Sequence, residues 1–227
     1  MAIIIISVKT KKLSFYAAIT GGVIAILIFK GSGYTGISML GAFFILGTVA
    51  TGWKKDEKQL VKLNDDKSVK RNTGQVLANG GVSATLGTLT ILMPHKAELL
   101  RLMIAASLAS AMADTLSSEL GMVYGRRFYN VITLKKEERG LDGVISIEGT
   151  LIGIFGSAFI AAIYSIGFGW GISFLLIVIA GTAGNLTDSV LGALLERKRY
   201  LTNDIVNFLN TAIAAFVAWL CVLVFGN

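Results

Sequence analysis

The sequence predicts an all-α protein: a polytopic transmembrane helical bundle of about seven spans, or six if the first is partial, with its amino terminus cytoplasmic. Three observations carry this. Hydrophobic residues make up 54% of the 227 residues and charged residues only 15%, against roughly 25% charged in an average globular chain. Mean hydropathy is +0.70. The apolar residues run continuously instead of alternating over short segments, which disfavours a β-barrel. A spanning helix takes about 20 apolar residues, so seven consume roughly 140 and leave no room for a separate soluble domain. The chain therefore reads as one integral-membrane domain, 1–227, in a cytoplasmic or organellar membrane. One proline and 26 glycines suit long helices that approach closely through small residues. The single cysteine, Cys221, forms no internal disulfide, so its redox compartment is not legible.

Seven apolar segments follow in order, at about 13–29, 33–53, 75–93, 98–124, 145–167, 169–194 and 204–225. Ala2–Val8 is apolar but too short to span, and no small-residue cleavage site follows, so it reads as an interfacial stub and not a signal peptide. The cations set the orientation. Eighteen of the 21 Lys and Arg fall on one side: Lys9, Lys11 and Lys12, then the loops at about 54–74, 125–144 and 195–203. Only Lys30, Lys96 and Arg101 fall opposite. Those three loops are expected to be cytoplasmic. The net charge of +7 follows from this orientation, with anionic head groups as sufficient partners and no nucleic acid. Within the first loop, 54–71, lysines mix with Asp56, Glu57, Asp65 and Asp66, which reads as a solvated or amphipathic surface segment. No internal repeat suggests the inverted halves of a transporter.

Polar groups inside spans are costly, roughly 2.5–3.5 kcal/mol for a central charge. Here they fall on helix faces. The third span carries Gln75, Asn79 and Ser83. The fourth carries Ser107, Ser110, Asp114, Ser117 and Gly121, with Thr115, Ser118 and Glu119 beside them. The fifth starts with Asp142, Ser146 and Glu148. The sixth carries Asn185, Asp188, Gly192 and Glu196, and the seventh Asn203, Asn207 and Asn210 with Asp204 adjacent. Odd-numbered spans enter from the cytoplasm with their polar residues first; even-numbered spans leave with theirs last. All these groups therefore gather at one depth, as a wet acidic cavity open to the cytoplasm and rimmed by basic loops.

Carboxylates ringed by cations suit a phosphorylated ligand with Mg²⁺, which takes few carboxylates and completes its shell with water and phosphate oxygens. Asp114 and Asp188 are the expected ligands, since both lie on stripes with small residues. Asn79, Asn185 and Asn207 are candidates to hydrogen-bond a base, a ribose or phosphate oxygens. The plainer reading holds for many positions: a Ser, Thr or Asn in a span more often bonds a neighbouring helix, and Gly149 and Gly153 read as packing. Glu148 and Glu196 read as interfacial groups pairing with loop cations, and His95 has no assigned role. No P-loop, no paired Cys/His spacing and no G-x-S-x-G elbow is present.

Four stretches resemble the integral-membrane family typified by the phytyl-phosphate kinase of plants and cyanobacteria: Gln75-Val-Leu-Ala-Asn-Gly-Gly81, Ala113-Asp-Thr-Leu-Ser-Ser-Glu119, Gly184-Asn-Leu-Thr-Asp-Ser-Val-Leu-Gly192 and Asn203-Asp-Ile-Val-Asn-Phe-Leu-Asn210. The resemblance runs from about residue 10 to the carboxyl end. It matches Asn79, Asp114, Glu119, Asn185, Asp188, Asn203, Asp204 and Asn207. Against the family pattern, the chain begins close to the first matched span, and its loop Lys135–Gly143 is less glycine-rich. The resemblance implies phosphoryl transfer from a nucleoside triphosphate, with CTP expected, to an isoprenoid monophosphate. In that reading Asp114 and Asp188 hold Mg²⁺, and Glu119 is a further ligand or an orienter. Arg126, Arg127, Lys135 and Arg139 bind phosphates. The expected partners are the nucleotide, the isoprenoid lipid phosphate and membrane lipids, with room for a homodimer. The rival readings are cytidylyl transfer to a lipid phosphate, and a transporter, which would need polar residues through the whole membrane depth.

Overall fold

A computed structural model describes residues 13–60 and 71–225. The stub Ala2–Val8 and the cations Lys9, Lys11, Lys12, Lys62, Lys67 and Lys70 lie outside the described residues. Seven α-helices are present among the described residues: α1 Phe15–Gly52, α2 Lys55–Gln59, α3 Thr73–Leu92, α4 Ala97–Tyr124, α5 Ile147–Phe168, α6 Ile172–Leu191 and α7 Asn203–Phe225. The protein is an all-α membrane bundle.

The first two expected spans appear as the one element α1, broken at Gly33, where φ 60° and ψ −149° is a conformation essentially restricted to glycine. The break is a reversal. Phe44, late in the second arm, packs on Leu13, Ala17 and Ala18 at the start of the first, which a straight helix of this length forbids. Of the described helices, five are long and apolar enough to cross a membrane. Helix α3, which lies against α1, α4 and α7, is not among them, because Gln75, Asn79 and several Gly and Thr residues make it less apolar. The span α4, with its preceding turn Pro94–Lys96, is the central post: 72% of its most apolar window is inside the protein, against 28–39% for the other spanning helices. This explains its Ala- and Ser-rich sequence, since a helix surrounded by others needs small side chains on every face. The outer helices instead turn Ile19, Val23, Ile26, Leu151, Phe155, Ile179 and Phe216 outward, where lipid covers them.

Small residues set the closest approaches. A Cβ added at Gly87 of α3 would lie 2.6 Å from the Leu27 carbonyl oxygen of α1, and one at Gly121 of α4 would lie 3.0 Å from Gly149 Cα of α5. The Gly149/Gly153 spacing is thus a packing face. Ser83 and Ser107 bond across α3 and α4 at 3.1 Å, as the plainer reading expected of serines in spans.

The polar ends are capped locally. Ser14 caps α1 by accepting from the Ala17 N–H at 3.2 Å, and Ser146 caps α5 by accepting from the Gly149 N–H at 3.0 Å. Asn72 and Gln75 form a reciprocal capping box at the start of α3, so Gln75 is spent on the helix terminus. The same end of the bundle gathers both ends of α1, since the Ser14 N–H donates to the Arg71 carbonyl oxygen at 3.2 Å and Trp53 Nε1 donates to Tyr124 Oη at 2.9 Å.

Two features depart from the sequence reading. The loop 125–144 carries a two-stranded antiparallel hairpin, β1 Phe128–Asn130 and β2 Val144–Ser146, too short for any alternation to announce it. Lys58, expected on a solvated surface segment, is only 6% exposed. Its ammonium donates to the Ala50 and Thr51 carbonyl oxygens, both at 2.9 Å, and pairs with Glu119. These are carbonyls of the last turn of α1, a position where a cation is favoured.

Candidate functional site

A cavity of about 330 Å³ opens at the polar end of the bundle. Its walls come from α3, α4, α5, α6, α7 and the hairpin, with Thr51 of α1 at the edge. At its floor Asp114 of α4 and Asp188 of α6 face each other within hydrogen-bonding reach. Each has its own support. Ser118 Oγ donates to Asp114 Oδ1 at 3.4 Å, and Asn210 Nδ2 donates to Asp188 Oδ1 at 2.7 Å. Asn210 is fully buried and accepts in turn from Ser110 Oγ at 3.0 Å. Asn185 accepts from Ser117 Oγ at 3.0 Å. The carboxylates of Glu196 and Asp142 add to the negative field at Asp114 and Asp188 respectively.

The amide of Asn207 stands between the pair. With its nitrogen toward them it lies 3.2 Å from Asp114 Oδ2 and 3.2 Å from Asp188 Oδ1. Turned over, it would present an oxygen to the same two carboxylate oxygens while its nitrogen donates to Asn203 Oδ1 at 3.0 Å. That second arrangement is an all-oxygen set, favourable only around a cation. Among the described residues no group of three or more His, Cys, Asp and Glu is placed to hold a metal. Two carboxylates with amide oxygens nearby nevertheless fit Mg²⁺, which binds few protein ligands and keeps waters.

Asn79 is more specific than the sequence implied. Its Nδ2 donates to the Gln75 carbonyl oxygen at 2.9 Å, and its Oδ1 is buried with no partner. An orphaned buried acceptor is costly. It suits a donor such as a hydroxyl, an amino group or a cation, but not a bare phosphate oxygen.

Of the residues singled out by sequence, Asn79, Asp114, Glu119, Asn185, Asp188, Asn203 and Asn207 line this cavity. The others do not. Arg126, Arg127, Lys135 and Arg139 are exposed on the outer rim, because the chain turns into the hairpin and lays Phe128 over the cavity instead. Arg139 Nη1 donates to the Met122 carbonyl oxygen at 3.3 Å. Asp204 lies about 100° round α7 from Asn203 and about 60° from Asn207, and lines an apolar groove on the other side of the α3–α7 seam. Glu119 lines the cavity and its Oε2 is paired with the Lys58 ammonium.

Two loop cations, Lys58 and Arg71, have a role at this end of the bundle that the sequence did not single out. Arg71 lines the cavity, and burial pulls its guanidinium below its ordinary value while Glu119 raises it again. It stays cationic at physiological pH. Its place directly before the Asn72 cap was the available signal. The hairpin is latched over the cavity by Arg197, which donates to Glu137 Oε2 at 2.9 Å and, through Nε, to the Asp142 carbonyl oxygen at 3.1 Å. The latch follows five π-helical residues, Gly192–Glu196, a distortion frequent at functional sites.

Fold and site together define a polytopic helical membrane protein with a polar, acidic cavity at one end. The chain belongs to the family described as Integral membrane protein DUF92, whose model matches residues 1–215. It is 30% identical over 199 residues to Protein VTE6, chloroplastic, of Arabidopsis thaliana, a match covering 85% of this chain and 60% of that protein. It is 32% identical over 213 residues to the uncharacterized membrane protein MJ0933 of Methanocaldococcus jannaschii, covering 92% and 85%. A similar match joins it to the uncharacterized membrane protein sll0875 of Synechocystis, at 31% over 202 residues, covering 86% and 77%. The chain thus spans less than two thirds of the Arabidopsis relative. No solved structure matches it.

Proposed function

We propose that this protein is a Mg²⁺-dependent lipid-phosphate kinase. It moves a phosphoryl group from a nucleoside triphosphate, with CTP the expected donor, to an isoprenoid monophosphate such as phytyl or geranylgeranyl phosphate, giving the diphosphate. The observation that carries this is the meeting of Asp114 and Asp188, from two helices, with Asn207 between them on a polar cavity floor. The motif resemblance supplies the substrate class. The concentration of cations in the loops at this end of the bundle favours its facing the cytoplasm.

Mg²⁺, when bound, would neutralise charge on the transferring phosphates. Asp114 and Asp188 would hold it, with Asn207 turned to offer its oxygen. The remaining work is positioning, which carries most of the catalysis in phosphoryl transfer. An ionised phosphate monoester is already a nucleophile, so no residue has to remove a proton. Its oxygen forms the new P–O bond as the bond from the γ-phosphorus to the bridging oxygen breaks, and the nucleoside diphosphate leaves with that electron pair. Asn79 offers its Oδ1 to a donor on the nucleotide, and the latched hairpin excludes water.

The acceptor's tail has a place beside the cavity. A groove of about 570 Å³ runs between the first arm of α1, α3 and α7. From Gly74 to Thr88 it follows α3 for about 21 Å at 1.5 Å per residue, close to the span of a sixteen-carbon backbone with bonds of about 1.5 Å. Thr20, Thr85 and Thr88 line it, and each has its hydroxyl satisfied by a carbonyl of its own helix.

The test is product analysis with purified protein, prenyl and phytyl monophosphates, Mg²⁺ and CTP labelled at either end. Label reaching the lipid from the γ-phosphate supports the kinase; label from the α-phosphate replaces it with cytidylyl transfer. Uptake into vesicles without nucleotide turnover would replace both with transport.

A further inference from the structure

We propose that Arg71 is the phosphate-binding cation of the cavity, receiving the phosphate chain of a nucleotide or of a lipid phosphate opposite the Asp114–Asp188 pair. The identity of the ligand rests on the kinase reading; the anion site itself does not.

Among the described residues Arg71 is the sole Lys or Arg lining the cavity. Arg126, Arg127, Lys135 and Arg139, expected at the phosphates, are exposed and do not line it. Its backbone is pinned: the Arg71 carbonyl oxygen accepts from the Ser14 N–H at 3.2 Å, and Asn72 begins the α3 cap. Its side chain is held on two sides. The guanidinium lies 5.7 Å from the centroid of the Phe43 ring, a cation–π contact. A Cβ added at Gly47 would come within 3.2 Å of Nη2, so the glycine leaves the space the fork fills.

Among the described residues the fork has no carboxylate of its own. Glu119 is close enough to act on Arg71, but its carboxylate is already paired with the buried Lys58, and Arg71 itself forms no ion pair with a described carboxylate. Among the described residues two cations thus share this one carboxylate. A half-buried cation in a membrane bundle is expensive without a counter-ion. A guanidinium fork matches phosphate bidentately, and a ligand bridging from Arg71 to a cation at Asp114 and Asp188 would balance both walls.

The test uses the full chain in detergent or nanodiscs, with inorganic pyrophosphate and Mg²⁺ titrated by calorimetry. Arg71→Gln is expected to weaken pyrophosphate binding roughly ten- to hundredfold, the loss of hydrogen bonds to a charged group. Arg71→Lys, which keeps the charge and so protects the fold, should recover part of it. Lys198→Gln, on the exposed surface, serves as a control for general charge and should bind as wild type does. Binding by Arg71→Gln indistinguishable from wild type, or none by wild type, overturns the site. Steady-state arms separate the sources: a raised KM for CTP assigns Arg71 to the nucleotide, and a raised KM for phytyl phosphate assigns it to the acceptor. Arg71-dependent pyrophosphate binding without kinase turnover would keep the site and remove the kinase. Turnover with both KM values unchanged in Arg71→Gln would do the reverse.

Discussion

Asn210 donates to Asp188 across 2.7 Å from a position with no solvent exposure. The carboxylate that faces the cavity is therefore held from the layer beneath it, and Asn210 is held in turn by Ser110. Replacing Asn210 with Leu removes its side-chain hydrogen bonds to Asp188 and Ser110, at a cost of roughly 1–3 kcal/mol. The expected outcome is a lower melting temperature together with a fall in turnover, measured on detergent-purified protein. Asn210→Asp should be worse for turnover than Asn210→Leu, because it sets a second carboxylate against Asp188.

Asp114→Asn and Asp188→Asn should each lower turnover by at least about two orders of magnitude, the scale of losing a principal electrostatic group in a reacting site. Both variants should still purify as folded protein, since an amide keeps the shape and relieves repulsion between neighbouring carboxylates. Unchanged turnover in both would remove them from the metal role. Chelation of Mg²⁺ should silence the wild type and be reversed by adding it back.

The Lys58–Glu119 pair is a stability device for this end of the bundle. Lys58→Met leaves Glu119 without its ammonium partner, and Glu119→Gln leaves a buried ammonium. Each should cost up to about 3–5 kcal/mol, the penalty for breaking a buried pair. The double variant should recover much of the loss. A thermal-denaturation cycle over the four proteins measures the coupling, and additive effects would mean that the pair is not formed.

Close packing at glycine makes a contrast within one protein. Gly87→Ala places a Cβ 2.6 Å from the Leu27 carbonyl oxygen and should destabilise by roughly 1–3 kcal/mol through overpacking. Gly41→Ala meets nothing within 4 Å and should be neutral or slightly stabilising, given the helix preference of alanine. Melting curves of the two variants decide this.

Filling the apolar groove should separate chain length from chemistry. Thr85→Phe, on the groove wall, is expected to raise the KM for phytyl phosphate more than that for a short prenyl phosphate, with kcat nearly unchanged. Equal effects on both acceptors would move the tail elsewhere.

The helix plan and the meeting of the acids were legible because both depend on periodicity and on the membrane. A polar residue in a span cannot face lipid, so Asn79, Asp114, Asn185, Asp188 and Asn207 could be assigned to the interior, and alternating span directions assigned them to one depth. The reversal at Gly33 was legible as a gap between two apolar runs. The hairpin was not, because three-residue strands carry no pattern, and its folding decides which loop residues see the cavity. Loop cations obey no such constraint. Arg126 and Arg139 satisfy water equally well facing outward, and a charge count could not tell them from Arg71.

From sequence alone came a membrane bundle, its spans and the depth at which its carboxylates gather, since lipid forbids the alternatives. Tertiary structure alone decided which cation reaches them. Lys58 and Arg71 take their places through packing against Phe43, Gly47 and the end of α1, contacts between segments far apart in the chain. It also decided that Glu119 serves a lysine and that Asn210 braces Asp188, because a hydrogen bond between helices depends on their relative rotation, which no single helix encodes.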